Sequence, residues 1–573
     1  MARAVKLNIS LEGALNKAVE KSKFRVFLIL PIIILTFLAI AIKTTILCTQ
    51  NISERLLSDN VSQVPNILHQ VSLAPSKAIR KNIYDRNGIL IASSLVTSSL
   101  FAHPNEMIEK DYAAELVHKV LPELSVAYLK EKFFSEKKFQ WIKRNLTPKQ
   151  KYAVNSLGIP GLYFEAETKR IYPHKELFSH VIGSVGVDSQ GLSGMEKVID
   201  SLNKHVTDNE VRDYINTTMD VRIQNIVHEE LSSQMEKHKA VAAAGIVMDA
   251  TNGEIISLVS LPDYEPNFLK SITPESFFNH ATLGVYELGS VFKPITFAAA
   301  FEKNLIKMNS KFDATQALKI GRFRISDFHP ENRWLTTPEV MMHSSNIGTA
   351  KIGEIVGING FKDIYRKLGF YERSGIEIQE KASSNIPNNW GQTTLFTASY
   401  GHGLAITPMH LIAGYMPIVN GGVLYKPTLI KEEKDPEGKE VFSKSTSDIM
   451  RKLLRLVVAR GTATKANISG FLVGGKTGTA EKIDENGRYS KTSKVTTFVG
   501  AFPMNKPKYL VLTLFDDPKP SKDSYGYATA GWVAAPAAGK IISRMAPILK
   551  IMPQDENDEK IKAELEITGV DIR

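Results

Sequence analysis

With 573 residues, 43% of them hydrophobic and 23% charged, the chain exceeds what one compact core organises, and roughly two to four domains are expected. The net charge of +11 is dispersed, with no lysine/arginine block interleaved with aromatics, which argues against nucleic-acid binding. A single cysteine, Cys48, rules out an internal disulfide and a cysteine-based zinc site, and the 13 histidines show no H-x-x-x-H or H-E-x-x-H spacing, so no metal or other cofactor is expected.

Residues 1–25 form a basic arm: Arg3, Lys6, Lys17, Lys21, Lys23 and Arg25 against Glu12 and Glu20. Val26 to Ile42 follows without a charge, and as a helix these 17 residues span about 26 Å, which "TTILC" extends to a bilayer's width. The charge asymmetry keeps the arm in the cytoplasm and sends the remainder outside. No small-x-small cleavage site follows, and Ile46-Leu47 is too bulky for a lipoprotein site at Cys48. An uncleaved single-pass membrane anchor over 26–48 is expected.

Residues 49–235 mix strand-like and helical pieces. "KNIYDRNGILIASS" (Lys81 to Ser94) reads as strand, Asn-Gly turn, strand, and "HKVLPELSVAYLKEKFFSEKKFQWIKRNL" as charged amphipathic helices. No catalytic constellation stands out, so a structural or docking module is expected. From 236 the texture changes. "AAAGIVMDATNGEIISLVS" is a hairpin signal, and "TTFVGAFP" and "KYLVLTLFDDP" are two later strands rich in β-branched and aromatic residues. Between them lie helical segments such as "MHSSNIGTAKIGEIVG" and "SDIMRKLLRLVVAR", and an alanine-rich helix, Ala530 to Leu549, closes the domain. Strands at both ends with helices inserted imply an α/β domain over 236–550, an antiparallel sheet plus a helical subdomain. The acidic tail, with seven Asp/Glu between Gln554 and Arg573, is expected to be disordered.

S-x-x-K occurs three times, at Ser135, Ser201 and Ser290, and S-x-N four times, at Ser58, Ser201, Ser344 and Ser383; K-T-G occurs once, at Lys476-Thr477-Gly478. A serine/lysine acyl-transfer design needs all three. Ser58 and Ser201 precede the domain, and Ser383 lies in a Pro/Asn-rich turn region. The surviving order is Ser290-x-x-Lys293, Ser344-x-Asn346 and Lys476-Thr477-Gly478-Thr479. Residues i and i+3 share a helix face, so Lys293 can reach the Ser290 hydroxyl. Pro294 places the helix start near Ser290, where the dipole favours an alkoxide and a neutral lysine. Lys476, brought nearby, adds like-charge pressure in the same direction. The glycines of "GGKTGTAE" suit an edge strand.

These blocks, with "YELGSVFKPIT", "HSSNIGTAKI", "ASYGHGLAITP" and "VGGKTGTAEK" among them, resemble the class B penicillin-binding proteins, and "IYDRNGILIA" and "GLSGMEKVID" are similar to that family's N-terminal pedestal module. Within the class the chain looks most like the division-specific, FtsI-type enzymes. The resemblance implies a penicillin-binding/transpeptidase fold and a D,D-transpeptidase that cross-links peptidoglycan stem peptides ending in D-Ala-D-Ala at the septum. It implies β-lactams as inhibitors, a bacterial inner-membrane location with the catalytic domain periplasmic, and an FtsW-type glycan polymerase and other divisome proteins as partners. It casts Ser290 as nucleophile, Lys293 as base, Ser344 and Asn346 as proton relay and amide-orienting groups, and Lys476, Thr477, Gly478 and Thr479 as the carboxylate-binding strand. The N–H groups of Ser290 and Thr479 would form the oxyanion hole. Two positions depart from the pattern: Lys81 stands where glycine is usual, and His402 stands in "YGHG", where a loop residue without chemistry is expected and a place in the cleft lining is the alternative. An elongation-specific paralogue is the nearest alternative. A serine β-lactamase lacks support, since no E-x-x-L-N run is present, and a penicillin sensor would want several membrane spans.

Overall fold

The computed structural model describes Lys43 and residues 80–203, 214–321, 323–483 and 487–567. The expected anchor over 26–48 lies outside these, apart from Lys43; among the described residues no helix is long and apolar enough to cross a membrane.

The N-terminal module is built on the expected hairpin. Asn82–Tyr84 runs antiparallel to Leu90–Ala102, and Asp85 closes the turn by accepting from the N–H groups of Asn87 (2.7 Å) and Ile89 (2.8 Å). Gly88 takes the left-handed conformation that the tight turn requires (φ 83°). The long strand Leu90–Ala102 also pairs with Leu162–Ile171 and with Gln140–Leu146. This last strand corrects the sequence expectation. The helices end at Phe133, and "QWIKRNL" pairs as a strand with Leu90–Ala102 instead, its Ile142 and Leu146 turned into a small core with Leu100, Val117, Leu129 and Phe133.

The larger domain contains a five-stranded antiparallel sheet in the order Gly474–Ile483, Tyr489–Phe502, Tyr509–Asp516, Ala242–Asp249, Ile255–Leu261. The two sequence ends therefore meet in the middle, with Tyr509 opposite Asp249 and Asp516 opposite Ala242. Every residue of Ala242–Asp249, Ile255–Leu261 and Tyr509–Asp516 is buried, so both faces are covered. Helices Val221–His238 and Ala534–Ile548 cover one face, where Gly245 leaves room for Val227 and Leu231 and Thr513 bonds to the Ala534 carbonyl. Lys293–Glu302, Pro408–Val419 and Lys444–Arg460 pack together as the other layer. Asn346–Lys367, broken at Gly357, and Gln392–Ser399 extend it into a helical subdomain.

The tail is a second correction. Residues 554–567 are ordered: Asp558 caps a helix Glu559–Leu565, Leu565 is buried, and Glu556, Glu564 and Glu566 pair with Arg455, Arg451 and Arg460. The acidity that suggests disorder in isolation is matched by the basic face of Lys444–Arg460.

Candidate active site

Ser290 sits in a 3-10 turn, Gly289–Phe292, that leads into the α-helix Lys293–Glu302; Pro294 stands in its first turn, where a missing N–H costs nothing. The regular helix thus begins three residues after the serine, rather than at it. Backbone fixes this turn from both sides. Gly289 N–H donates to the Gly401 carbonyl (3.1 Å), and a Cβ on Gly401 would lie 2.1 Å from the Gly289 carbonyl oxygen. A Cβ on Gly478 would lie 2.3 Å from the Leu288 carbonyl oxygen. Gly478 therefore packs the serine turn against the strand Gly474–Ile483, which is an edge of the sheet as its glycines suggest.

The three motifs converge. Lys293, completely buried, donates from Nζ to the Ser344 carbonyl, to Ser344 Oγ (3.0 Å) and to Asn346 Oδ1 (2.8 Å). Lys476, equally buried, donates to the same Ser344 Oγ (2.9 Å) and to the Thr477 carbonyl (3.0 Å). Ser344 occupies a left-handed conformation (φ 57°) just ahead of Ser345, which caps the helix Asn346–Lys367. The serine hydroxyl thereby lies between two amines, not on the helix itself.

Burial governs the charges. It pushes the Lys293 ammonium well below the usual lysine range; the nearby Lys476 charge adds to this and Asp327 opposes it. Burial alone lowers Lys476 to about 7. Both shifts favour the neutral amine, the form a proton acceptor must take.

Above these lysines opens a cavity of about 500 Å³ lined by Ser290, Ser344, Asn346, Thr477 and Thr479, among others. Thr477 shares a hydrogen bond with Thr462 (2.7 Å), and Thr479 Oγ1 accepts from Ala530 N–H (3.0 Å), which leaves its own proton to give. Gly478 takes no part in the lining. His402 does: its ring lies 5.3 Å from that of Tyr400 and 6.1 Å from that of Tyr489, and burial, reinforced by the Lys293 charge, lowers it to about 4. It is a neutral wall of the cleft. Glu287 ties this wall down, accepting from Gly403 N–H (3.2 Å) and Tyr489 O–H (3.1 Å). Asp327, in "ISDFHP", was not anticipated. Its only sequence signal is a polar loop 18 residues before Ser345, a distance along the chain that says nothing about space.

Comparison with known proteins agrees with this geometry. Residues 243–543 match the penicillin binding protein transpeptidase domain, and residues 75–209 the penicillin-binding protein dimerisation domain. The chain is 35% identical over 487 residues to a probable peptidoglycan D,D-transpeptidase FtsI of Caulobacter vibrioides, covering 83% of this chain and 82% of that one. It is 34% identical over 505 residues to a probable peptidoglycan D,D-transpeptidase PenA of Neisseria meningitidis, covering 83% and 85%. The crystal structure of penicillin binding protein 3 from Mycobacterium tuberculosis, complexed with aztreonam, superposes with a TM-score of 0.66 at 22% identity, covering 86% of this chain and all of that one. A dimerisation module ahead of a domain that brings S-x-x-K, S-x-N and K-T-G to one cleft places the chain in the class B penicillin-binding proteins, the peptidoglycan D,D-transpeptidases of FtsI/PenA type.

Proposed function

We propose that this chain cross-links peptidoglycan at the division septum through an acyl-enzyme on Ser290. The Ser344 hydroxyl, bridged by the amines of Lys293 and Lys476, carries the reading. Ser290 Oγ adds to the carbonyl of the penultimate D-alanine while its proton passes to neutral Lys293. The developing oxyanion is met by the N–H groups of Ser290 and Thr479. As the tetrahedral intermediate collapses, the C–N bond breaks, and the leaving D-alanine amine takes a proton delivered through Ser344. An amine of a neighbouring stem peptide then attacks the ester, loses its proton into the same relay, and releases Ser290.

Donor peptide lies along the free edge of Gly474–Ile483, its terminal carboxylate held by the Thr477 and Thr479 hydroxyls and the field of Lys476. Asn346 orients the substrate amide. A β-lactam acylates Ser290 by the same first step and stays. The basic arm and the apolar run 26–48 anchor the chain in the inner membrane with the catalytic domain outside, beside a glycan polymerase of FtsW type and other divisome proteins.

Fluorescent penicillin applied to membranes bearing the chain tests the chemistry: wild type is labelled and Ser290→Ala is not. Labelling of the alanine variant would end the nucleophile assignment. Depletion tests the cellular role: filaments support septal work, whereas rounded cells assign the chain to elongation.

A further inference from the structure

We propose that Asp327 is a positioning residue of this reaction, holding the Ser344-Asn346 turn against Lys293. The inference rests on the transpeptidase reading above.

Asp327 is 8% exposed, in the loop between the strands Phe323–Ile325 and Trp334–Thr336. Among the described residues it has no ion-pair partner within salt-bridge distance, so its charge is met by hydrogen bonds alone. Oδ1 accepts from the N–H groups of Asn346 (2.5 Å) and Ile347 (3.0 Å), and Oδ2 from the Ser345 hydroxyl (2.7 Å). Those N–H groups are the first two of the helix Asn346–Lys367, donors that no intrahelical carbonyl can satisfy. Ser345 already caps that helix through Gly348 N–H (3.0 Å). A second, charged cap is more than helix stability needs, and burying an unpaired carboxylate is costly.

What the carboxylate gains is placement. Ser344 must hold a left-handed turn, which a residue with a side chain adopts only under constraint. Asp327 grips the three residues that follow Ser344. Its neighbour Ser326 completes the arrangement: the Ser326 carbonyl accepts from Asn346 Nδ2 (3.1 Å), which turns Asn346 Oδ1 toward the Lys293 amine. One short loop thus sets both groups that Lys293 touches.

The charge matters as well. Three groups bear on Lys293 from the surrounding elements: Lys476 on the motif strand, Asp327 on this loop, and His402 on the 400 loop, which burial keeps neutral. Lys476 disfavours the protonated form of Lys293, and Asp327 alone favours it. Without Asp327, Lys293 would give up its proton at lower pH still.

Full-length protein in membranes, titrated with fluorescent penicillin between pH 5 and pH 9, tests this; the rate constant for labelling is read for wild type, Asp327→Asn and Asp327→Glu. Asn keeps an acceptor for the two N–H groups but lacks the charge. Its labelling is expected to slow on the order of tenfold, with the acidic limb of the profile moved to lower pH. A limb that stays in the wild-type place, at whatever rate, overturns the inference. Should the Asn variant fail to accumulate, Asp327→Glu decides: it keeps the charge on a longer arm, so slower labelling with an unmoved limb supports the placement role, and wild-type labelling overturns it. These failures differ from failure of the functional reading, which would appear as an unlabelled wild type or a labelled Ser290→Ala.

Discussion

Lys476 Nζ lies 2.9 Å from the hydroxyl of Ser344, a residue 132 positions earlier in the chain, and holds it against Lys293. Neither residue is in contact range through local structure. The sheet edge and the helical subdomain have to be assembled before the pair exists, so this bond reports the folded domain. It also makes the serine the meeting point of two buried amines.

Removing the Ser344 hydroxyl leaves both lysines in place but cuts the route between them. Ser344→Ala should retain the fold and slow acylation by roughly 10²- to 10⁴-fold, the range of a lost acid–base relay. Stopped-flow acylation by a chromogenic cephalosporin measures this. A loss below tenfold would assign proton transfer to another path.

Lys476 should also make the folded protein more stable as pH rises. Its pKa is about 7 when folded against 10.5 for an ordinary lysine, so between those values the unfolded chain holds a proton that the folded one lacks. Stability therefore climbs with pH across that window, by up to about 1.4 kcal/mol per pH unit for this group, and the destabilisation is complete below pH 7. Lys476→Met should flatten that part of a melting-temperature profile measured on solubilised protein. An unchanged slope would mean the amine stays charged.

Gly478 is constrained by the chain packed over it. A Cβ there would meet the Leu288 carbonyl oxygen at 2.3 Å and Val291 N at 3.0 Å, both backbone atoms. Gly478→Ala should push the Ser290 turn away from the strand, slowing acylation on the order of 10²-fold, with a stability loss of about 1–3 kcal/mol. Penicillin labelling and thermal unfolding of the same sample separate the two effects.

The ordered tail predicts a structural role. Glu556 pairs with Arg455 (2.8 Å), which also donates to the Val473 carbonyl (2.8 Å), immediately before the motif strand. Leu565→Ala should destabilise by about 2–3 kcal/mol, the low end for a buried leucine. Deletion of residues 554–573 should lower the melting temperature and slow labelling together. A deletion neutral in both measurements would show the tail to be dispensable.

Much of this site was legible because acyl transfer tolerates few residue types. The order Ser290, Lys293, Ser344, Asn346, Lys476 was readable from motif rarity and chain order, and the sheet from apolar runs at 242–260 and 496–518. What escaped was non-local. Asp327 is one aspartate among many until the fold brings it to the helix start at Asn346. The strand Gln140–Leu146 carries enough charge to look helical, and only pairing with Leu90–Ala102 decides otherwise. The tail misled because its acidic residues were read without the arginines of Lys444–Arg460. His402 lies in a loop, as expected, and it also lines the cleft, the alternative that its motif leaves open.

The interlocked main chain at Gly289, Gly401 and Gly478 bears on how drug resistance can arise. These contacts leave no space for even one methyl group, so the segment that presents the nucleophile is closed to gradual adjustment by mutation. Room for change lies instead among the side chains that line the cavity, such as Phe328, Thr464 and Trp532.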